Sequence, residues 1–283
     1  MSMTYEFPKI RPGQARYFLL SKPNDGTETL DIHKDQIHYI NQPSIMLIPR
    51  EYITHHSLYG LYESSLMTWI QQEFTGGGRG DKIFLDIGAH TGTFSVCLAR
   101  SFASVYAFEP QKMTYYALCG SIALSGLDNV VCVNTALGSQ EQVDACGGVG
   151  TLYINSDDGG TSSLHRDALG GGESGSGRTG VDPGNPIIPK KSEVLTEHVK
   201  LCVLDKYKNV FAGKVGVIKI DTEDNELEVL RGGVEVLRGS GLPYIFFEAR
   251  PDRVDEITRF LKSIGYGGVV PIRSYMNMYL ASR

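Results

Sequence analysis

The chain has 283 residues, a formal net charge of −5, 41% apolar residues and 21% charged residues. That length can bury a full core in one large domain, with or without an N-terminal extension, and the composition excludes general disorder. The acidic balance gives no electrostatic footprint for nucleic acid or an anionic membrane, so neither is expected as a partner.

No apolar run reaches the roughly 18 to 20 residues that span a bilayer. The start, Met1-Ser2-Met3-Thr4-Tyr5-Glu6 followed by Pro8 and Pro12, lacks the basic and apolar blocks of a signal peptide. Cys97, Cys119, Cys132, Cys146 and Cys202 are odd in number and show no C-x-x-C spacing. They read as reduced core thiols of a cytoplasmic protein.

Residues 1 to 80 carry five prolines, short strands near 36 to 48 and one helix from about 58 to 74. Their expected role is an extension or cap over a pocket built by residues 81 to 283. Lys82 to Ile87 is a near-continuous apolar run, as expected for a strand covered on both faces. A helix follows from about Gly92 to Ser101. Ser104 to Pro110 is a second strand, stopped by its proline. Residues 111 to 125 read as helix and Asn129 to Leu137 as a third strand. Residues 147 to 189 are rich in Gly, Ser and Pro, which predicts a lid or a surface linker.

Val215 to Asp221 is a fourth buried strand. Leu227, Leu230, Val234 and Leu237 then form one apolar helical stripe. Pro243 to Glu248 is a fifth strand, and Val254, Ile257, Leu261 and Ile264 mark a helix closed by Gly265. Gly267 to Ser282 reads as an antiparallel hairpin turning at Arg273-Ser274. This alternation predicts an α/β fold with a doubly wound, mostly parallel sheet and a C-terminal antiparallel hairpin.

The chemistry concentrates at strand ends. Asp86-Ile87-Gly88 followed by Gly92 brings backbone close to a ligand and aims free N–H groups at an anion. Positions 88 to 93 read Gly-Ala-His-Thr-Gly-Thr, without the second glycine needed beside a pyrophosphate. S-adenosylmethionine has no phosphate. Its carboxylate suits the helix start, and its ammonium suits the carboxylate of Asp86 or a nearby carbonyl. Glu109 ends the second strand, where an acid can accept hydrogen bonds from both ribose hydroxyls. Pro110 follows it, and Asn134 with Ala136 stands where the adenine edge would lie. An Asx turn is an equal reading for Asn134. In a doubly wound sheet Asp86, Asp221 and Glu248 would line one crevice, able to do base chemistry, hold a divalent ion or bind an ammonium. Glu223 joins them unless it caps the next helix.

Phe84-Leu85-Asp86-Ile87-Gly88-Ala89-His90-Thr91-Gly92, Val105-Tyr106-Ala107-Phe108-Glu109-Pro110, Ile218-Lys219-Ile220-Asp221-Thr222-Glu223 and Ile245-Phe246-Phe247-Glu248 resemble the FkbM-type methyltransferases. Gly160-Thr161-Ser162-Ser163-Leu164 and Val203-Leu204-Asp205 fit the same pattern, and the resemblance covers about residues 82 to 250. It implies a class I (Rossmann-like) methyltransferase fold, S-adenosylmethionine as cofactor, and O-methylation of a sugar, glycan or polyketide-like hydroxyl. Family members typically carry asparagine at the position of His90 and glycine at that of Asp224. Both departures bear on the acceptor rather than on the cofactor.

The expected cofactor residues are Glu63, Asp86, Gly88, His90, Thr91, Gly92, Glu109, Pro110, Asn134, Ala136, Asp221 and Glu223. His90 is the first candidate base, because imidazole titrates near neutrality. Asp221 is the second, with Glu248 as its partner. A metal is not expected; Asp221 and Glu248 would be its ligands. His55, His56, Tyr59 and Tyr62 precede the first strand and can fold over the pocket, and His165-Arg166 can contact an acceptor. The competing readings are an N- or RNA-directed methyltransferase, which needs a basic groove, and an inert cofactor-binding protein.

Overall fold

The computed structural model describes residues 17–21, 45–49, 63–74, 80–155, 162–166, 194–273, 275 and 277–283. Strands β1 (Tyr17–Ser21) and β2 (Ile45–Pro49) pair antiparallel. Helix α1 (Ser64–Glu73) leads into β3 (Ile83–Ile87), α2 (Thr93–Leu98), β4 (Ser104–Phe108), α3 (Lys112–Leu124) and β5 (Val130–Val133). Strand β6 (Ala136–Leu137), helix α4 (Gln140–Cys146), β7 (Val149–Asn155) and β8 (Val194–Cys202) come next. The chain closes with α5 (Lys208–Phe211), β9 (Val215–Ile220), α6 (Glu226–Arg231), α7 (Val234–Gly239), β10 (Tyr244–Glu248), α8 (Pro251–Ile264), β11 (Gly268–Pro271) and β12 (Met278–Ser282).

The main sheet has seven strands in the order β11-β12-β10-β9-β3-β4-β5. Strands β10, β9, β3, β4 and β5 run parallel, and β12 pairs antiparallel with both β10 and β11. This is the class I, Rossmann-like α/β arrangement with its C-terminal antiparallel hairpin, as the strand pattern predicts.

Alternation along each strand divides the core between two faces. Phe84, Val105, Ala107, Val217 and Phe246 enter one apolar cluster with residues of α1, α2 and α3. Ile83, Leu85, Ile87, Ile218, Ile220, Ile245 and Phe247 enter the other, covered by α6, α7 and α8. Helices on both faces explain why these strands are nearly continuous apolar runs. Two positions break the pattern on the first face. Asp86 and Lys219 are direct register partners across β3 and β9, and Phe246 of β10 is the next partner of Lys219.

Three expectations need correction. The predicted strand over 129 to 137 is two strands. Asn134 donates from Nδ2 to the Glu109 and Pro110 carbonyls at 2.9 Å, ending β5, and β6 then pairs with β8 in a separate three-stranded sheet, order β6-β8-β7. The stretch 147 to 189 is not one insertion, because Val149–Asn155 pairs antiparallel with Val194–Cys202 over an apolar cluster of Ala136, Leu152, Ile154, Val199 and Leu201. Only Leu152 and Ile154 stand two apart as aliphatic residues here, too short an alternation to set this strand off from the Gly-rich stretch that follows. The stripe from Leu227 to Leu237 is two helices split at Gly232-Gly233, where a Cβ on Gly232 would lie 2.0 Å from the Gly138 carbonyl oxygen. The predicted helix start before Glu63 and the centre of the Gly/Ser-rich stretch lie outside the described residues, as do His55, His56, Tyr59 and Tyr62. All five cysteines are free and partly buried.

Candidate active site

The carboxyl ends of β3, β9 and β10 lie side by side, which places Asp86, Asp221 and Glu248 in one crevice. The turn after β3 is tied down first. Gly88 and Ala89 both donate to the Phe108 carbonyl at 3.0 Å, and Asp221 donates its N–H to the Ile87 carbonyl at 3.0 Å. Gly88 has φ 76°, and a Cβ there would sit 1.7 Å from the Asp221 carbonyl oxygen. The glycine is therefore demanded by the neighbouring protein loop, whatever ligand lies above it. Gly92, at φ 93°, is the residue before α2, and Leu118 of α3 fills the space a Cβ would take. Thr91 is buried between them.

Asp86 is fully buried. Its Oδ2 accepts from Ser95 N at 3.0 Å and Ser95 Oγ at 2.6 Å, holding the first turn of α2 onto β3. Burial pushes its pKa up, against the pull of Lys219 and Ser95. Its Oδ1 has no hydrogen-bond partner among the described residues, so one lone-pair face of this carboxylate remains for a donor.

Glu109 is also buried, and both oxygens are held. Oε2 accepts from the His90 N–H at 2.9 Å and Oε1 from the Gln111 N–H at 2.8 Å. Burial raises its pKa to about 7, with those two bonds opposing. Each carboxylate oxygen keeps a further acceptor site, which suits a pair of vicinal hydroxyls. His90 adopts φ 51° in this turn. Asn134 braces the Glu109-Pro110 turn from behind, and Ala136 is buried at the start of the second sheet.

On the other side of the crevice Lys219, missed in the sequence reading, is the centre. Its ammonium donates to Asp221 Oδ2 at 3.0 Å and to the Gly88 carbonyl at 3.1 Å, and lies 5.4 Å from the centre of the Phe94 ring. Burial lowers its pKa, but Asp221, Asp86 and Glu63 outweigh that and hold it above its usual value. Its signal was a lysine inside an apolar strand, since a buried ammonium needs paired charge. Glu63, at φ 55° before α1, has its pKa raised to about 7 by burial and then by Asp221 and Asp86, with Lys219 opposing. Glu248 is pushed up to about 8 by burial and then by Asp221 and Glu63.

The loop after Asp221 turns through Glu223 at φ 53° and Asp224 at φ 78°. Glu226 closes this turn by accepting from Thr222 N and Oγ1 at 2.8 and 2.9 Å. Asp224 pairs with Arg250 Nε at 3.1 Å, linking the loops after β9 and β10. Ser163 donates from Oγ to the Glu223 carbonyl, Ser162 from Oγ to Gln111 Oε1 at 3.1 Å, and a His165 ring nitrogen lies 2.9 Å from Asn225 Oδ1. The short segment 162–166 is thus fastened to both halves of the crevice. A cavity of about 380 Å³ between Lys82, Gly216 and Tyr244 opens at the amino ends of the strands and shares no residue with this crevice.

The donor set suits S-adenosylmethionine. Carboxylates converge around a glycine turn, and the buried Asp86 keeps one oxygen without a hydrogen-bond partner among the described residues. It does not suit a divalent ion, because Lys219 already supplies the cation on Asp221. Among the described residues no three His, Cys, Asp or Glu side chains gather as metal ligands.

A family model described as the methyltransferase FkbM domain matches residues 86–267. No curated protein matches the sequence. Among solved structures, a precorrin-6y C5,15-methyltransferase from Geobacter metallireducens is similar at 12% identity, over 78% of this chain and 87% of that one, with a TM-score of 0.41. A putative tRNA (m1A22) methyltransferase from Streptococcus pneumoniae is similar at 12% identity, over 77% and 68%, with a TM-score of 0.43. A SAM dependent methyltransferase from Aquifex aeolicus shares 16% identity over 76% and 87%, with a TM-score of 0.39.

Proposed function

We infer the acceptor chemistry from one premise: this chain belongs to the FkbM methyltransferase family and is an S-adenosylmethionine-dependent methyltransferase. The acceptor we propose is a hydroxyl of a sugar, glycan or polyketide-like small molecule, with Glu248 taking its proton. When bound, S-adenosylmethionine supplies an electrophilic methyl group on a sulfonium sulfur. In this reading Glu109 accepts from the ribose hydroxyls, and Glu63, Asp86 and Asp221 make the methionine end favourable for an ammonium. Gly88, Thr91 and Gly92 shape the turn, with Pro110, Asn134 and Ala136 behind it and Glu223 at the rim.

The observation that carries the proposal is Glu248, half-buried beside Asp221 at the carboxyl end of β10 and raised to about 8. A hydroxyl is a poor nucleophile until its proton has a destination. A carboxylate that binds a proton this firmly is a far better acceptor than an ordinary one. Asp221 is committed to Lys219, which favours Glu248 over Asp221 as the base. The backbone N–H of His90 donates to Glu109, which holds the His90 turn beside that carboxylate, and we propose a cofactor-binding role for it. The acidic crevice and the net charge of −5 also disfavour an RNA phosphate backbone.

Labelled cofactor offered with monosaccharides, nucleotide sugars, glycans and RNA tests the class directly; transfer to RNA alone would overturn it. Glu248→Gln is expected to lower kcat by about 10² to 10⁴ with little change in cofactor affinity. The base works only when ionised. Activity should therefore rise with pH toward about 8 and lose that limb in Glu248→Gln. Chelation should leave the rate unchanged.

A further inference from the structure

Lys219 is buried within an otherwise apolar layer, opposite Asp86 by strand register and beside Phe246 on the far strand. Its ammonium spans the two loops of the crevice through the Gly88 carbonyl and Asp221. Glu63, Asp86, Asp221 and Glu248 all feel its field. Without that cation the crevice would become a more negative well through whichever of these carboxylates stay ionised. Such a well draws in a cofactor carrying a sulfonium charge, but it also favours that cofactor over the product, which has lost the charge.

We propose that Lys219 is the positioning residue that sets the charge selectivity of the cofactor site, its fixed ammonium offsetting the surrounding carboxylates so that cofactor and product bind with comparable strength. The two ligands share an adenosine, a carboxylate and an ammonium; they differ by a methyl group and one positive charge. A role confined to holding the fold would change both affinities together. A role in charge balance changes their ratio. The inference rests on the cofactor assignment and not on which hydroxyl is methylated, so its test needs no acceptor.

The experiment is calorimetric titration of the full chain with S-adenosylmethionine and with S-adenosylhomocysteine, comparing wild type, Lys219→Met and Lys219→Arg. Removing this unit charge from the crevice should raise the ratio of cofactor to product affinity about tenfold or more in Lys219→Met. Lys219→Arg keeps the charge and should stay near the wild-type ratio. If Lys219→Met does not fold, the same step is read between Asp221→Asn and the double variant K219M/D221N, where loss of the lysine must again raise the ratio. An unchanged ratio, with both affinities equal to wild type or both weakened alike, overturns the proposal while leaving the acceptor reading intact. Failure of wild type to bind either ligand would overturn the cofactor site as well.

Discussion

The Gly88–Gly92 turn and the Asp221–Asn225 loop lie side by side, and both carry backbone at positive φ. In the first, space dictates the residue: a Cβ on Gly88 would collide with the Asp221 carbonyl. In the second, Glu223 and Asp224 adopt the same region with side chains in place. The loop is held from outside by the Glu226 carboxylate, Ser163 and Arg250. The Gly88–Gly92 turn is therefore built from short backbone bonds between neighbouring motifs. The Asp221–Asn225 loop is held by side chains instead: one ion pair from Asp224 to Arg250, and hydrogen bonds from Ser163 to the Glu223 carbonyl and from Thr222 to Glu226.

Three substitutions sharpen that contrast. Glu109→Ala removes the acceptor proposed for the ribose and strands the His90 and Gln111 N–H groups, so cofactor affinity should fall by about 10² or more. Calorimetry that found normal affinity would detach Glu109 from the cofactor. Gly88→Ala forces the two loops apart and should destabilise the protein by about 3 kcal/mol or more, read from denaturant midpoints. Asp224→Gly is the converse experiment. It relieves a left-handed aspartate but gives up an ion pair whose arginine is 54% exposed and adds glycine entropy. Stability should move by less than about 1 kcal/mol, and a loss near that of Gly88→Ala would erase the distinction.

A pH effect on stability spans both sides of the crevice. Glu63, Glu109 and Glu226 have pKa values raised from a usual 4.5 to about 7, and Glu248 to about 8. Between about 4.5 and 7 the folded protein keeps protons that the unfolded chain has lost, so its stability should fall as pH rises through that window. Thermal melts without cofactor check the sign. Glu109→Gln should flatten the slope, since an amide cannot titrate.

Much of the Gly88–Gly92 side of the crevice was legible because its signals are local. Asp86, Gly88 and Gly92 sit in one strand-turn-helix unit, and Glu109 ends the very next strand, which pairs beside it. The helix-capping partner Ser95 was missed, although it lies within the same unit. Asn134 was readable in place but not in role, because what it binds is the turn carrying Glu109. The second sheet escaped notice for a different reason. Its strands β7 and β8 are joined through the Gly/Ser-rich stretch, and the alternation in β7 is too short to stand out from it.

What the sequence by itself determined is the order of apolar strands and the chemistry at each strand's end, since both are written in contiguous runs. Only the tertiary structure decided which side chains share a face and a partner. Lys219 stands opposite Asp86 because β9 pairs with β3 in one particular register. A slip of one residue would turn that lysine to the other face of the sheet, among Leu85, Ile218 and Phe247. The register comes from packing of both apolar faces together, so no single segment of the sequence contains it.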